Sequence, residues 1–180
     1  FSLPLYLLTG MSRRRRLVSQ EASVKYFLLG ALSSAIFLYG IALVYGAAGS
    51  FQLGIIAQAS MTQISGSKIF AAGMILLAVG LLFKVGAVPF HNWTPDVYTG
   101  APSPVTAFMS IATKMVALLG LMRVMYVAMG AMRWDWQLLL AVVAVASMAV
   151  GAIVGLSQTD MKRMLAYSSI AHAGFIMVGV

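Results

Sequence analysis

The sequence predicts an all-α fold: a polytopic transmembrane helical bundle in which one helix is broken at prolines. Of its 180 residues, 61% are hydrophobic and only 9% are charged, whereas a soluble domain carries about 25% charged residues. The apolar runs extend over about 20 residues or more, the length that crosses a bilayer as a helix and not as a barrel strand. Four of the five prolines fall within residues 89–104, which places the break in one helix.

We predict four complete spans between two partial ones, all within a single membrane domain that covers residues 1–180. The complete spans are expected at about 22–46, 67–90, 105–129 and 137–156, and the partial spans at 1–9 and 164–180. The chain lacks an initial Met and ends within an apolar run. We therefore expect it to be a piece of a longer protein, without a signal peptide at its start.

The composition also excludes several classes of function. The net charge of +8 does not indicate a nucleic-acid partner, because the basic residues are few and most lie in short connections. There is no cysteine, which excludes disulfides, thiolate metal sites and cysteine nucleophiles. The basic side of the bundle should face the cytoplasm. It holds Arg13–Arg16, together with Lys162 and Arg163, which we interpret as loop charges.

Two lysines inside predicted spans are the main candidates for function. Lys114 lies ten residues after Pro104, hence about 15 Å into a hydrocarbon core of about 30 Å. Lys84 lies near the end of its span, next to the proline cluster. An ionisable group at such depth is costly and by default indicates function. Burial disfavours the charged lysine and a nearby carboxylate favours it, so such a group can load and release a proton. The alternative is a lysine that only caps helix carbonyls.

The predicted break lies beside Lys84. Pro89 cannot donate the helical hydrogen bond to the carbonyl of Val85, and Thr94-Pro95-Asp96 is typical of an N-cap followed by a first helical turn. We therefore expect the helix to break near Pro89 and a short helix to restart near Thr94. Broken helices are tolerated in membranes where they line a cavity or are buried in protein, and in transporters they mark the ion path. A corner with a packing role only is the alternative.

Four further polar residues are candidate relays. His91 lies at the break and titrates near neutrality, but a hydrogen-bonded structural histidine is the alternative. Glu21 and Lys25 form an i, i+4 pair, which is either a weak interfacial ion pair or a relay. His172 shares a predicted face with Leu165, Ser168 and Ser169, which holds a water chain unless the serines bond back to their own helix.

One stretch resembles a known family. Residues 83–105 read FKVGAVPFHNWTPDVYTGAPSPV, which is similar to the signature of the antiporter-like subunits of respiratory complex I and of Mrp-type cation/proton antiporters. The Thr94-Pro95-Asp96-Val97 form resembles the complex I members most closely. The resemblance continues through residues 21–26, 156–163 and 167–172, so it covers nearly the whole chain.

The resemblance implies a partial inverted-repeat antiporter fold and assigns roles to the matching positions. Lys84 matches the lysine of the broken helix, Lys114 the lysine of the next helix, and Glu21 with Lys25 the pair at the start of the preceding helix. A central glutamate is expected just before Phe1 and a distal lysine beyond Val180. By the same resemblance, this chain binds no cofactor. NADH, FMN, the iron–sulfur clusters and the quinone belong to partner subunits.

Three functions follow as hypotheses. The first is a proton-translocating membrane subunit of an NADH:quinone oxidoreductase, in contact with other membrane subunits of complex I and with the lipid bilayer. It would be a multi-pass protein of the bacterial inner (plasma) membrane that moves protons. The second is an Mrp-type cation/proton antiporter subunit, for which Leu-Pro-Asp-Ala is expected in place of residues 94–97. The third, a purely structural scaffold, leaves two deep lysines unexplained.

Overall fold

The computed structural model describes residues 2–11, 16–62 and 67–180, so Arg13–Arg15 of the basic loop lie outside it. Within these ranges the regular secondary structure is helical and no strand occurs. The α-helices are α1 (Ser2–Thr9), α2 (Arg16–Ala48), α3 (Leu53–Thr62), α4 (Lys68–Val85), α5 (Trp93–Gly100), α6 (Ser103–Phe108), α7 (Lys114–Arg123), α8 (Arg133–Leu156) and α9 (Met161–Val178).

Four helical segments of the described chain are long and apolar enough to cross a membrane. They are Leu17–Ala48, Lys68–Val85, Ser103–Ala128 and Trp136–Leu156. The third is one rod made of α6, a π-helical segment at Met109–Thr113, α7 and a second π-helical segment at Val124–Ala128. The predicted fold class, an all-α polytopic bundle with a broken helix, is confirmed.

The helix break occurs earlier than predicted. Helix α4 ends at Val85 because Gly86 adopts a left-handed conformation, φ 76°, and its N–H donates to the carbonyls of Leu82 and Phe83. Glycine adopts this conformation without the steric penalty of a Cβ and is the usual residue at a helix C-terminus. The predicted break near Pro89 was therefore wrong by about a turn, since the chain has already left the helix at Gly86.

The short helix after the break also starts earlier than predicted. It begins at Trp93 with Asn92 at the N-cap position, so Thr94 lies buried in the first turn and is not the cap. Two hydrogen bonds fix the linker between α4 and α5, residues 86–92. The backbone N–H of Val88 donates to Ser147 Oγ of α8 at 2.9 Å, and the indole of Trp93 donates to the carbonyl of Phe83 at 3.0 Å. These bonds satisfy polar groups that lipid cannot.

Two other predicted boundaries shift for visible reasons. The span predicted to begin at about 105 begins at Ser103, because the chain is already helical directly after Pro102. Helix α9 starts at Met161 and not at 164, because the carboxylate of Asp160 accepts from the N–H groups of Lys162 and Arg163 at 2.8 and 3.2 Å. The interpretation of Lys162 and Arg163 as loop charges was therefore wrong, since both lie in the first turn of α9.

Close helix contacts depend on glycines at the α2–α4 and α8–α9 interfaces. A Cβ added at Gly40 would lie 2.6 Å from the backbone of Leu77, and one at Gly151 would lie 2.7 Å from the backbone of Ala171. Membrane helices pack closely where small residues let their backbones approach. These contacts place α4 against α2 and α9 against α8, and both pairs carry residues of the candidate site.

Replacing Gly86 with alanine is expected to destabilise the break. The positive φ costs an L-residue about 1–2 kcal/mol, and the added Cβ would lie 2.7 Å from the hydroxyl oxygen of Thr94. The thermal midpoint of the detergent-solubilised protein should fall. Gly46→Ala is the matched control, because its Cβ would meet nothing within 4 Å. Equal midpoints for the two variants would contradict this account of the break.

Candidate functional site

Lys114 is buried, with 5% of its surface exposed. Its ammonium donates to the hydroxyl of Ser169 at 2.6 Å and to the carbonyl of the same residue at 3.1 Å. It also lies 6.0 Å from the centre of the Tyr98 ring. No ion pair joins it to a carboxylate of the described residues. The lysine is thus held by two elements, α5 and α9, through neutral groups.

The backbone before Lys114 is unusual. The π-helical segment Met109–Thr113 ends immediately before it, and the hydroxyl of Thr113 donates to the carbonyl of Met109 at 2.6 Å. A π-helical turn adds a residue to the turn and is frequent at functional sites. The segment therefore changes the angular position of Lys114 relative to the start of its helix at Ser103.

Lys84 is half-buried at the last turn of α4, beside the break. Its ammonium donates to Ser2 Oγ of α1 at 2.7 Å, and the hydroxyl of Tyr6 interacts with the same serine. Tyr6 approaches α2 closely, because Gly30 leaves the space that a Cβ would fill. The three side chains form a short polar row between α4 and α1.

Lys84 lines a cavity of about 340 Å³. Tyr6, Tyr26 and Trp93 form one side of it, and the α7 side includes Thr113 and Ala117. The rings of Tyr26 and Trp93 are stacked with centroids 4.9 Å apart. A cavity of this size has room for several waters, since one water occupies about 30 Å³ in the liquid. The cavity extends from Lys84 to the helix that carries Lys114, whereas the Lys114 ammonium itself contacts Ser169 of α9.

The predicted pair of Glu21 and Lys25 does form, with the ammonium 2.7 Å from the carboxylate. The structure adds partners that sequence reasoning missed. Lys25 also lies 3.1 Å from Asp96 of α5, and the other carboxylate oxygen of Asp96 accepts from Arg163 of α9. The signal in the sequence for these partners was the small number of acidic residues, since the whole chain has only four. The local sequence pattern places Asp96 only in the first turn of a helix.

The two histidines lie apart from the lysine contacts. His91 lies in the linker between α4 and α5, with its ring centroid 6.4 Å from that of Tyr167 in α9. His172 is exposed, and its Nδ1 is 2.7 Å from the carbonyl of Ser168 in its own helix. Of the residues on the predicted polar face of α9, Ser169 contacts Lys114, whereas Ser168 and His172 contact each other.

The amines and hydroxyl groups of this arrangement are of a kind that can exchange protons. Both lysines end on serine hydroxyls, which donate and accept protons, and tyrosine hydroxyls lie beside each serine. Within the described ranges, no group of His, Asp or Glu residues could hold a metal ion. Deep amines of this kind are features of proton relays in pumps and transporters.

Comparisons with known proteins show the family to which this chain belongs. A family model described as NADH:quinone oxidoreductase/Mrp antiporter, TM, matches residues 1–180. The NADH-quinone oxidoreductase subunit N of Cutibacterium acnes is 76% identical over the whole chain, which spans 34% of that protein. The chain thus covers about a third of the length of the curated relatives it matches.

Solved structures give the same result. A chain of respiratory complex I from Thermus thermophilus matches at 45% identity with a TM-score of 0.81, over 98% of this chain and 36% of that one. A chain of the Mrp complex from Dietzia matches at 26% identity with a TM-score of 0.88, over 98% and 33%. The chain therefore belongs to the transmembrane family that NADH:quinone oxidoreductases and Mrp antiporters share.

Proposed function

We propose that this chain is the central part of a proton-translocating membrane subunit of an NADH:quinone oxidoreductase. The observation that carries the proposal is Lys114, a buried amine without a carboxylate partner in the described chain, held by one serine. Burial without a counter-charge favours the neutral amine, so a change in its surroundings moves a proton on or off it. The bond from Lys114 to the carbonyl of Ser169 also fits a structural lysine, and the Lys114→Met variant described below separates the two roles.

The proposed path runs through the two lysines, the cavity that Lys84 lines and the polar residues around them. In this path Lys84 exchanges protons with water in the cavity. Lys114, on the helix that borders the cavity, exchanges protons with Ser169 of α9. Glu21 and Lys25, nearer the basic side of the bundle, supply or remove protons through Tyr26 and the cavity. His91 relays at the linker. His172, which is exposed and contacts Ser168 of its own helix, is proposed as a relay only toward a neighbouring helix or subunit.

The redox chemistry belongs to other subunits in this proposal. NADH, FMN, the iron–sulfur clusters and the quinone would be bound by partner subunits of complex I, and this chain would contact other membrane subunits and lipid. Its place would be the bacterial plasma membrane, as part of a multi-pass protein. The absence of cysteine from the sequence supports this division, because iron–sulfur clusters are held mainly by cysteine thiolates.

The second candidate is a subunit of an Mrp-type cation/proton antiporter. The TM-score of 0.88 to the Mrp complex supports it. The Thr94-Pro95-Asp96-Val97 sequence and the higher identity to the complex I chain, 45% against 26%, favour the oxidoreductase.

The test uses the native protein with an affinity tag, purified from its own membranes in mild detergent. We expect NADH-oxidising activity and quinone reduction to copurify, and proton uptake into reconstituted vesicles to require NADH. If the tagged assembly lacked NADH oxidation and instead exchanged Na⁺ for protons, the antiporter would be the correct function. The two candidates are thus separated by the driving force that each assembly needs.

A further inference from the structure

The contacts of Lys114 come from two elements that are joined to each other by charges. Tyr98 belongs to α5 and Ser169 to α9. The guanidinium of Arg163, in the first turn of α9, donates to the carboxylate of Asp96 in α5. The ammonium of Lys162 donates to the carbonyl of Ala101 at the end of α5, at 2.8 Å. The first turn of α9 therefore contacts α5 and its C-terminal end at two points.

Asp96 is the common anion of this contact. One of its oxygens accepts from Arg163, and the other lies 3.1 Å from Lys25 of α2, which in turn pairs with Glu21. We name these four residues, Glu21, Lys25, Asp96 and Arg163, the Asp96 cluster. Its two carboxylates and two cations balance formally. The cluster ties α2, α5 and α9 together at the basic side of the bundle.

The short helix α5 depends on such contacts for its position. It has eight residues, and isolated helices shorter than about 12–15 residues are marginal. Tyr98 follows Asp96 by two residues, and Ser169 follows Arg163 by six, or about 9 Å along a helix. The Asp96–Arg163 pair thus lies a short distance from both groups that contact Lys114, on the same two elements.

We propose that Asp96 is a positioning residue for Lys114: by holding α5 to α9 it keeps Tyr98 and Ser169 around the ammonium. The importance of this position for pumping rests on the proposed function, whereas the contact itself does not. Replacing Asp96 with asparagine keeps its size but leaves Lys25 and Arg163 facing a neutral group and repelling each other. The pair is partly exposed, with side-chain exposures of 33% and 44%, so we expect loosening and not unfolding.

The test measures the burial of Lys114 directly. The assembled complex is treated with an amine-acylating reagent, and modification of Lys114 and of the exposed Lys68 is followed by mass spectrometry in the same sample. In Asp96→Asn we expect Lys114 to be modified roughly 1.5- to fivefold faster, the range for weakening a partly exposed ion pair. Modification of Lys68 should not change. Asp96→Glu should restore slow modification, because it restores the carboxylate.

A matched pair of arginine variants completes the test. Arg163→Gln removes the α9 side of the contact and should also speed modification of Lys114, which keeps the proposal testable if Asp96→Asn does not assemble. Arg133→Gln is the control, since Arg133 also lies in the first turn of a spanning helix but faces Tyr126. The proposal would be overturned if Lys114 were modified at the wild-type rate in both Asp96→Asn and Arg163→Gln. It would also be overturned if Arg133→Gln accelerated the modification of Lys114 equally. Faster modification with unchanged NADH-driven pumping would support the contact and show that the position of Lys114 does not limit pumping.

Discussion

Replacing Lys114 with methionine is expected to remove nearly all NADH-driven proton pumping while the complex still assembles. Methionine fills the space of the lysine stem and adapts to irregular cores, so packing against Tyr98 and Ser169 should persist. What is lost is the amine, and removal of a proton-transferring group typically costs about 10²-fold or more in rate. The measurement is the initial rate of acidification of reconstituted vesicles after addition of NADH.

Lys68→Met is the matched control for that variant. Lys68 is an exposed lysine in the first turn of α4, far along the chain from the candidate site. We expect it to pump at close to the wild-type rate, because it removes a charge without removing a buried amine. Wild-type pumping by Lys114→Met would mean that Lys114 carries no proton and that the proposed path is wrong.

Replacing Lys84 with arginine is expected to impair pumping nearly as much as replacing it with alanine. Arginine keeps the positive charge, but its guanidinium does not release a proton at working pH. A lysine that served only as a fixed charge beside Ser2 would be replaced successfully by arginine. Pumping is measured per NADH oxidised, so that a variant with less assembled complex is not mistaken for one with uncoupled chemistry.

The double variant Lys84→Ala/Lys114→Ala tests whether the two lysines share a path. The cavity that Lys84 lines extends to Thr113 and Ala117, on either side of Lys114 along the chain. Residues that act as a unit are strongly non-additive, so the double variant should be little worse than the more damaging single one. If the two losses multiplied, the lysines would act in separate steps and the single path through the cavity would be wrong.

The membrane class and the spans that carry the lysines follow from the sequence, because both depend on local quantities. The length of an apolar run determines whether a helix spans the bilayer, and Lys84 and Lys114 both lie in helical segments long and apolar enough to do so. The pair of Glu21 and Lys25 is likewise local, at i and i+4. The break was expected beside Lys84, but its position at Gly86 depended on one left-handed residue and not on the more obvious Pro89.

Only the tertiary structure decided which groups the lysines meet. Ser169 lies 55 residues from Lys114, Ser2 lies 82 residues from Lys84, and Arg163 lies 67 residues from Asp96. No periodicity connects residues so far apart, because these contacts arise from the packing of whole helices. That packing depends on small residues such as Gly151 and on the polar bonds that orient the linker. The sequence by itself therefore determined the helical membrane class and the span that carries each lysine, whereas helix packing determined the hydrogen-bond partners of each amine.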